Sequence, residues 1–280
     1  MRVEKWQALG NDYLIVEAGE LPWPLTPARI RKICDPHLGI GSDGILLLSP
    51  SDDPQYVAAL RIFNPDGSES ELSGNGSRQA MIYLRRHGRV DSDDFAILTA
   101  AGPIRARITG RSSAAVALGR AATSSPDYPS GAADGRGQLD AGGRTWSFQH
   151  VSIGNPQCAI HCEELETLDL AAIGPAIEHH ALFPNRTNVC WYRVLEPGSI
   201  RARIFERGVG ETLSSGTGAS GAAIAHHLAG GPRRIVVLLD GGELTVEVGQ
   251  DLHVTLIGWA VPVFASTLAD DFRKELDETQ

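Results

Sequence analysis

Paired cysteines are missing from this chain. The four present, Cys34, Cys158, Cys162 and Cys190, show no CxxC spacing, which argues against a zinc site or a disulfide framework. Cationic residues are outnumbered, 25 Lys and Arg against 34 Asp and Glu, for a formal net charge of −9. With no basic stripe, that balance argues against binding a nucleic-acid backbone. No uninterrupted apolar run approaches a membrane span, and Met1-Arg2-Val3-Glu4-Lys5-Trp6 lacks the apolar core of a signal peptide. The expectation is a cytoplasmic protein with no metal, no nucleic-acid partner and no membrane partner.

What is present is an ordinary globular composition, 42% apolar and 21% charged, over 280 residues. That length suits two domains of about 100–150 residues, each burying its own core. The chain also repeats itself. Arg61-Ile62-Phe63, nine residues, then Ser73-Gly74-Asn75-Gly76 is followed 142 residues later by Arg203-Ile204-Phe205, nine residues, then Ser215-Gly216-Thr217-Gly218. Coincidence of small residues in turns would not reproduce the strand triplet, the spacing and both glycines together. Gly10-Asn11 recurs as Gly154-Asn155, and Gly44 falls opposite Asn188, at an offset of 144. A repeat this long means duplicated domains, since solenoid units run only about 20–50 residues.

Each copy reads as a strand, a polar Gly-containing loop, and a Ser-Gly-x-Gly turn opening a small-residue helix. A helix start presents N–H groups and roughly half a positive charge, so each turn is a potential seat for a carboxylate or phosphate. Further strands are expected near 13–17, 44–48, 60–63, 95–99 and 104–109, with helices near 26–34 and 74–87. In the second half strands are expected near 146–153, 157–162, 188–195, 200–206, 234–239, 243–248 and 253–258, with helices near 169–179 and 216–229. Residues 111–145, rich in Gly, Ala, Ser and Asp, read as a surface crossing between halves. The domains expected are 1–115, with the tail 264–280 packing back on it, and 116–263. His179-His180 and His226-His227 read as surface or helix-end residues. Cys158 and Cys162 read as strand residues on one face, packed in a core.

Asn11, the run Phe63-Asn64-Pro65-Asp66-Gly67-Ser68-Glu69, Gly74-Asn75-Gly76, Gly154-Asn155-Pro156 and Glu206-Arg207-Gly208-Val209-Gly210-Glu211-Thr212 resemble the diaminopimelate epimerase family. The resemblance runs from Trp6 to about Gly258. It implies an α+β (mixed α/β) fold of two pseudo-symmetric domains, each a mixed sheet wrapped round a central helix. It also implies a cofactor-free active site in the cleft between them, a homodimer, and interconversion of LL- and meso-diaminopimelate in lysine and cell-wall synthesis.

Inverting a stereocentre requires taking a proton from one face of Cα and delivering one to the other, so two acid/base groups must flank the carbon. By the resemblance these are Ser73 and Ser215. The N–H groups of Gly74, Asn75, Gly216 and Thr217 would hold the α-carboxylate of the diamino acid and stabilise charge developing on its oxygens. Glu206 would contact the reacting end. Asn64, Asn155, Asn188 and Arg207, with Asn11, would clamp the rest, Arg207 forking the distal carboxylate.

The chain departs from the family at the reacting atoms. Typical members carry cysteine at both opposed positions, where this chain has serine, and a hydroxyl is a far weaker acid than a thiol and needs an adjacent base. They also carry a histidine two residues after the second Gly-Asn asparagine, where Gln157 cannot accept a proton. Glu206 is the remaining candidate base. Three readings stay open: an epimerase using the serines with Glu206 or ordered water, a relative doing other α-proton chemistry such as dehydration, and a protein that binds a diamino acid without turning it over. Serines introduced by engineering would be a fourth, though Gln157 is then an independent change.

Overall fold

Strand and turn chemistry build the same series of elements twice. The computed structural model describes residues 1–71 and 73–279. The chain forms two units, Met1–Val116 with Gly258–Gln280, and Ala117–Ile257. The first segment carries β1 (Arg2–Ala8), β2 (Asn11–Glu17), α1 (Pro27–Cys34), β3 (Ile45–Ser49), β4 (Ala59–Phe63), β5 (Glu69–Ser70), α2 (Gly74–Arg86), β6 (Asp94–Thr99), β7 (Gly102–Gly110) and the start of β8 (Ser113–Arg120). Then come β9 (Arg136–Ala141), β10 (Arg144–Ser152), β11 (Pro156–His161), α3 (Leu170–Glu178), β12 (Asn188–Glu196), β13 (Ser199–Glu206), β14 (Gly210–Thr212), α4 (Gly216–Leu228), β15 (Arg234–Leu239), β16 (Gly242–Val248) and β17 (His253–Trp259). β18 (Val261–Thr267) and α5 (Asp270–Glu278) close the first unit.

Strand pairing shows the duplication. In the first unit β2 runs parallel to β3 with Leu14 opposite Ile45, and β3 antiparallel to β4 with Leu46 opposite Ile62. In the second, β11 runs parallel to β12 with Cys158 opposite Val189, and β12 antiparallel to β13 with Cys190 opposite Ile204. The β4–β5 hairpin pairs Phe63 with Glu69, the β13–β14 hairpin Phe205 with Glu211. Each hairpin is pinned by the same arginine–glutamate pair, Arg61 to Glu69 at 2.7 Å and Arg203 to Glu211 at 2.6 Å. Both sheets are mixed, since β4 then pairs in parallel with β6 and β13 with β15.

Each sheet wraps a helix. α2 packs on β1 to β4 and β7, and α4 on β10 to β13, β15 and β16. α4 is apolar or small nearly all round and is buried along most of its length, as such a helix must be. Its glycines set the approach: a Cβ at Gly218 would lie 2.7 Å from Ile204, and one at Gly221 2.8 Å from Gln157. β12 is buried on both faces over Asn188–Tyr192, whereas β6, β15, β16 and β17 alternate, one face inward. Leu14, Ile30, Ile33, Ile45 and Leu276 belong to the first core, and Trp146, Ile160, Phe183, Val189 and Trp191 to the second. The tail docks through Leu276, fully buried, while Arg29 donates to the Leu276 and Asp277 carbonyls at 2.8 and 3.2 Å.

Three stretches differ from the sequence expectation. Residues 111–145 hold β8 and β9, β1 precedes the first expected strand, and β18 runs into the start of the expected tail. β8 is rich in small residues and owes its extension to β7, pairing Ala106 with Val116, and β9 owes its own to β10. Partner strands override weak local propensity there. Cys158 and Cys162 face one core, and His179, His226 and His227 lie at helix C-terminal ends, where their rings contact carbonyl oxygens. Among the described residues no helix is long and apolar enough to cross a membrane.

Candidate active site

In the second unit the strand β13 ends at Glu206, and a tight turn follows because Gly208 takes a φ of +78° and Val209 donates to the Glu206 carbonyl at 3.0 Å. The chain returns through β14 and reaches Ser215, extended at φ −139° and ψ 125°, which caps α4 by accepting the Gly218 N–H at 3.2 Å. These two devices bring Ser215 and Glu206 together. Ser215 Oγ donates to Glu206 Oε2 at 3.0 Å, and Thr212 Oγ1 donates to Oε1 at 2.8 Å. Burial raises the Glu206 carboxyl above its ordinary 4.5, the two hydroxyl donors only partly offsetting it. A hydroxyl bonded to a carboxylate that a third group orients is the arrangement an activated oxygen requires.

Around this pair Asn155 Nδ2 donates to Thr217 Oγ1 at 3.3 Å, and its Oδ1 accepts from Gln157 Nε2 at 2.7 Å. Gln157 is fully buried, so the residue that cannot act as a base here orients Asn155 against the first turn of α4. Asn188 is buried as well. It donates to the Pro156 carbonyl at 2.9 Å and accepts the Arg207 backbone N–H at 2.9 Å, bracing the turn that carries Arg207. The Arg207 guanidinium bonds the Asn185 carbonyl at 3.1 Å and stays partly exposed. Gly216 and Thr217 are the first two residues of α4, where N–H groups point out along the axis.

The first unit has the same turn with different neighbours. Ser73, extended at φ −136° and ψ 119°, caps α2 by accepting the Gly76 N–H at 3.0 Å. Its side-chain neighbour is Tyr13, whose phenol donates to Ser73 Oγ at 3.3 Å. Gly74 and Asn75 open α2, and Asn75 Oδ1 accepts from Arg78 Nη2 at 2.7 Å. Arg78 is fully buried; burial pulls its guanidinium down to about 10, which leaves a cation beneath this turn at neutral pH. Asn11 donates to Asp43 at 2.9 Å while its carbonyl accepts from Gln79 at 3.0 Å. The Asn64 side-chain amide donates to Ser68 of its own hairpin at 2.9 Å.

The two halves therefore share a backbone device and differ in chemistry. Asn64 occupies the register position of Glu206, and Tyr13 that of Gln157. Tyr13 and Asp43, which bond Ser73 and Asn11, are neighbours of the candidate residues that the sequence analysis missed; extending the 144-residue offset two positions past Asn11 and Asn155 would have found Tyr13. Among the described residues no group of three or more His, Cys, Asp or Glu side chains could hold a metal ion.

The model of the family described as diaminopimelate epimerase matches residues 3–123 and 149–261. The chain belongs to the diaminopimelate epimerase family. It is 40% identical over 264 residues to diaminopimelate epimerase 2 of Nostoc sp., covering 91% of each chain, and 39% identical over 276 residues to the diaminopimelate epimerase of Moorella thermoacetica, covering 94% of this chain and 98% of that one. Among solved structures it resembles a probable proline racemase from Agrobacterium radiobacter, with a TM-score of 0.70 at 17% identity, covering 99% of this chain and 95% of that one. A hydroxyproline epimerase from Agrobacterium vitis gives 0.68 at 16% identity, covering 97% and 93%. These two likenesses establish the shared fold of two pseudo-symmetric α/β halves.

Proposed function

We propose that the chain is a cofactor-independent epimerase interconverting LL- and meso-diaminopimelate, with Ser73 and Ser215 as the two groups that move the α-proton. One observation carries the proposal: the Ser215 hydroxyl is already bonded to a carboxylate, Glu206, at 3.0 Å. Where a thiol would ionise with modest help, this hydroxyl removes the α-proton by passing its own to Glu206 in the same step. The raised carboxyl of Glu206 brings that base closer to the operating pH, where general-base catalysis is most efficient. The N–H groups of Gly74, Asn75, Gly216 and Thr217 take the α-carboxylate, whose oxygens gain charge as Cα loses its proton. Arg78, held under the α2 turn, adds a fixed positive charge to that seat. Asn11, Asn64, Asn155, Asn188 and Arg207 select the distal amino-acid end, Arg207 forking its carboxylate.

This reading places the enzyme in the cytoplasm, in lysine and peptidoglycan precursor synthesis, as a homodimer. Exposed Val263 and Phe264 on β18 supply apolar surface that a second copy could cover, and sedimentation of the full chain reports the assembly. The activity test is conversion of purified LL-diaminopimelate followed by chiral chromatography. Approach to one LL/meso ratio from either isomer supports the proposal. Saturable binding with no conversion at high enzyme concentration refutes it, and leaves a diamino-acid-binding protein.

A further inference from the structure

Among the described residues, the carboxylate bonded to Ser215 has no counterpart bonded to Ser73. Asn64 stands at the equivalent register and its amide is engaged with Ser68, so the first unit offers Ser73 no acid or base from that strand. The contact it does offer is Tyr13. β2 carries Tyr13, 6% exposed, so that its hydroxyl meets Ser73 Oγ at 3.3 Å. The ring is held there by close packing on Gly44: a Cβ at that position would lie 2.8 Å from the ring and 2.2 Å from the Phe63 carbonyl. Ser73 Oγ thus has two neighbours, the Gly76 N–H that it accepts and the Tyr13 phenol. Ser215 Oγ receives one donor, Gly218, and spends its proton on Glu206. The two hydroxyls therefore have chemically different partners, a phenol for Ser73 and a carboxylate for Ser215.

From this geometry we infer that Tyr13 is the proton-relay partner of Ser73, so that the site has one carboxylate arm and one phenol arm. The inference rests on the epimerase reading above and deepens it. In one direction Ser215 Oγ takes the proton from Cα as its own proton passes to Glu206, and the C–H electron pair moves onto the substrate carboxylate. Ser73 then gives its hydroxyl proton to the other face of Cα, the electron pair returning to form the new C–H bond, while the Tyr13 proton replaces the one Ser73 has lost. Glu206 ends as a carboxylic acid and Tyr13 as a phenolate; the reverse reaction starts from that form, the phenolate taking Ser73's proton as Ser73 takes the one on Cα, and proton exchange with water interconverts the two forms. A phenol suits this task because it is a far stronger acid than an aliphatic hydroxyl and supplies the proton Ser73 cannot recover unaided. Tyr13 acts through Ser73 and is a positioning and relay residue.

The test is Tyr13→Phe, which keeps the ring on Gly44 and removes only the oxygen. Each diastereomer is incubated in heavy water, and deuterium entering the unconverted substrate is read separately from inversion. Conversion should fall roughly 100-fold or more with KM little changed. Wash-in to the isomer deprotonated at Ser215 should stay within a few-fold of the parent protein, and wash-in to the other should be lost. Equal losses for both isomers, or an unchanged conversion rate, would overturn the relay. No exchange by the parent protein with either isomer would instead remove the epimerase reading, and the relay with it. Should Tyr13→Phe fail to fold, 3,5-difluorotyrosine at position 13 retains the hydroxyl. It should move the pH profile of the Ser73-side exchange alone to lower pH, and an unmoved profile would refute the relay.

Discussion

Glu206→Gln isolates the base. Glutamine keeps the length of the side chain and an oxygen within reach of Ser215 and Thr212, but it cannot take the proton that Ser215 must shed. General-base assistance contributes about 10²–10⁴ in rate, so the barrier should rise by about 3–5 kcal/mol. Deuterium wash-in at Cα, followed by proton NMR, reads that loss directly. The same substitution has a signature in stability. Because burial holds the Glu206 carboxyl above 4.5, the folded state binds its proton more tightly than the unfolded state does. Stability therefore falls as pH rises from the unfolded carboxyl's value through the folded one, and the penalty persists at higher pH. Glutamine carries no such penalty, so the variant should melt higher than the parent protein near pH 8, the gap closing toward pH 4. Wild-type wash-in by the variant would refute Glu206 as the base. A melting difference independent of pH would refute the claim that its charge is held against burial.

Ser73→Cys with Ser215→Cys should raise turnover by orders of magnitude, since a thiol with an ordinary pKa of about 8.5 ionises where a hydroxyl does not; steady-state kinetics checks it. Arg207→Ala should weaken diaminopimelate binding by about 1.5–3 kcal/mol, roughly ten- to a hundredfold in Kd, measured by titration calorimetry. Leu276→Ala should cost about 2–5 kcal/mol in denaturant unfolding of the first unit, because that side chain is fully buried where α5 docks.

Much of the site could be read from the chain because its positioning devices are local. The strand triplet ending in Phe63 or Phe205, the glycine-bearing hairpin and the serine cap are written in consecutive residues, and their spacing alone locates the helix starts at Gly74 and Gly216. Glu206 follows from the same register, since it ends the strand whose hairpin partner leads into the cap. What could not be read depends on distant segments. β1 is legible as a strand only beside β2 and β18, its buried Glu4 being bonded to Trp6 and His87. β8 and β9 are rich in small and polar residues and extend because β7 and β10 supply pairing. Tyr13 is an apolar-strand residue by pattern, and only the packing that carries it to Ser73 gives it a chemical neighbour. Gln157 reads in sequence as a lost histidine, whereas its structural work is to orient Asn155.

The central claim is that serine hydroxyls, one of them backed by a carboxylate, can do proton transfer at an amino-acid α-carbon. Its most direct test is incubation of the unmodified protein with LL-diaminopimelate in heavy water, with the product analysed by NMR and chiral separation. The account predicts meso product carrying deuterium at the inverted α-carbon. Recovered LL substrate, with protium at both α-carbons at high enzyme concentration, would contradict it.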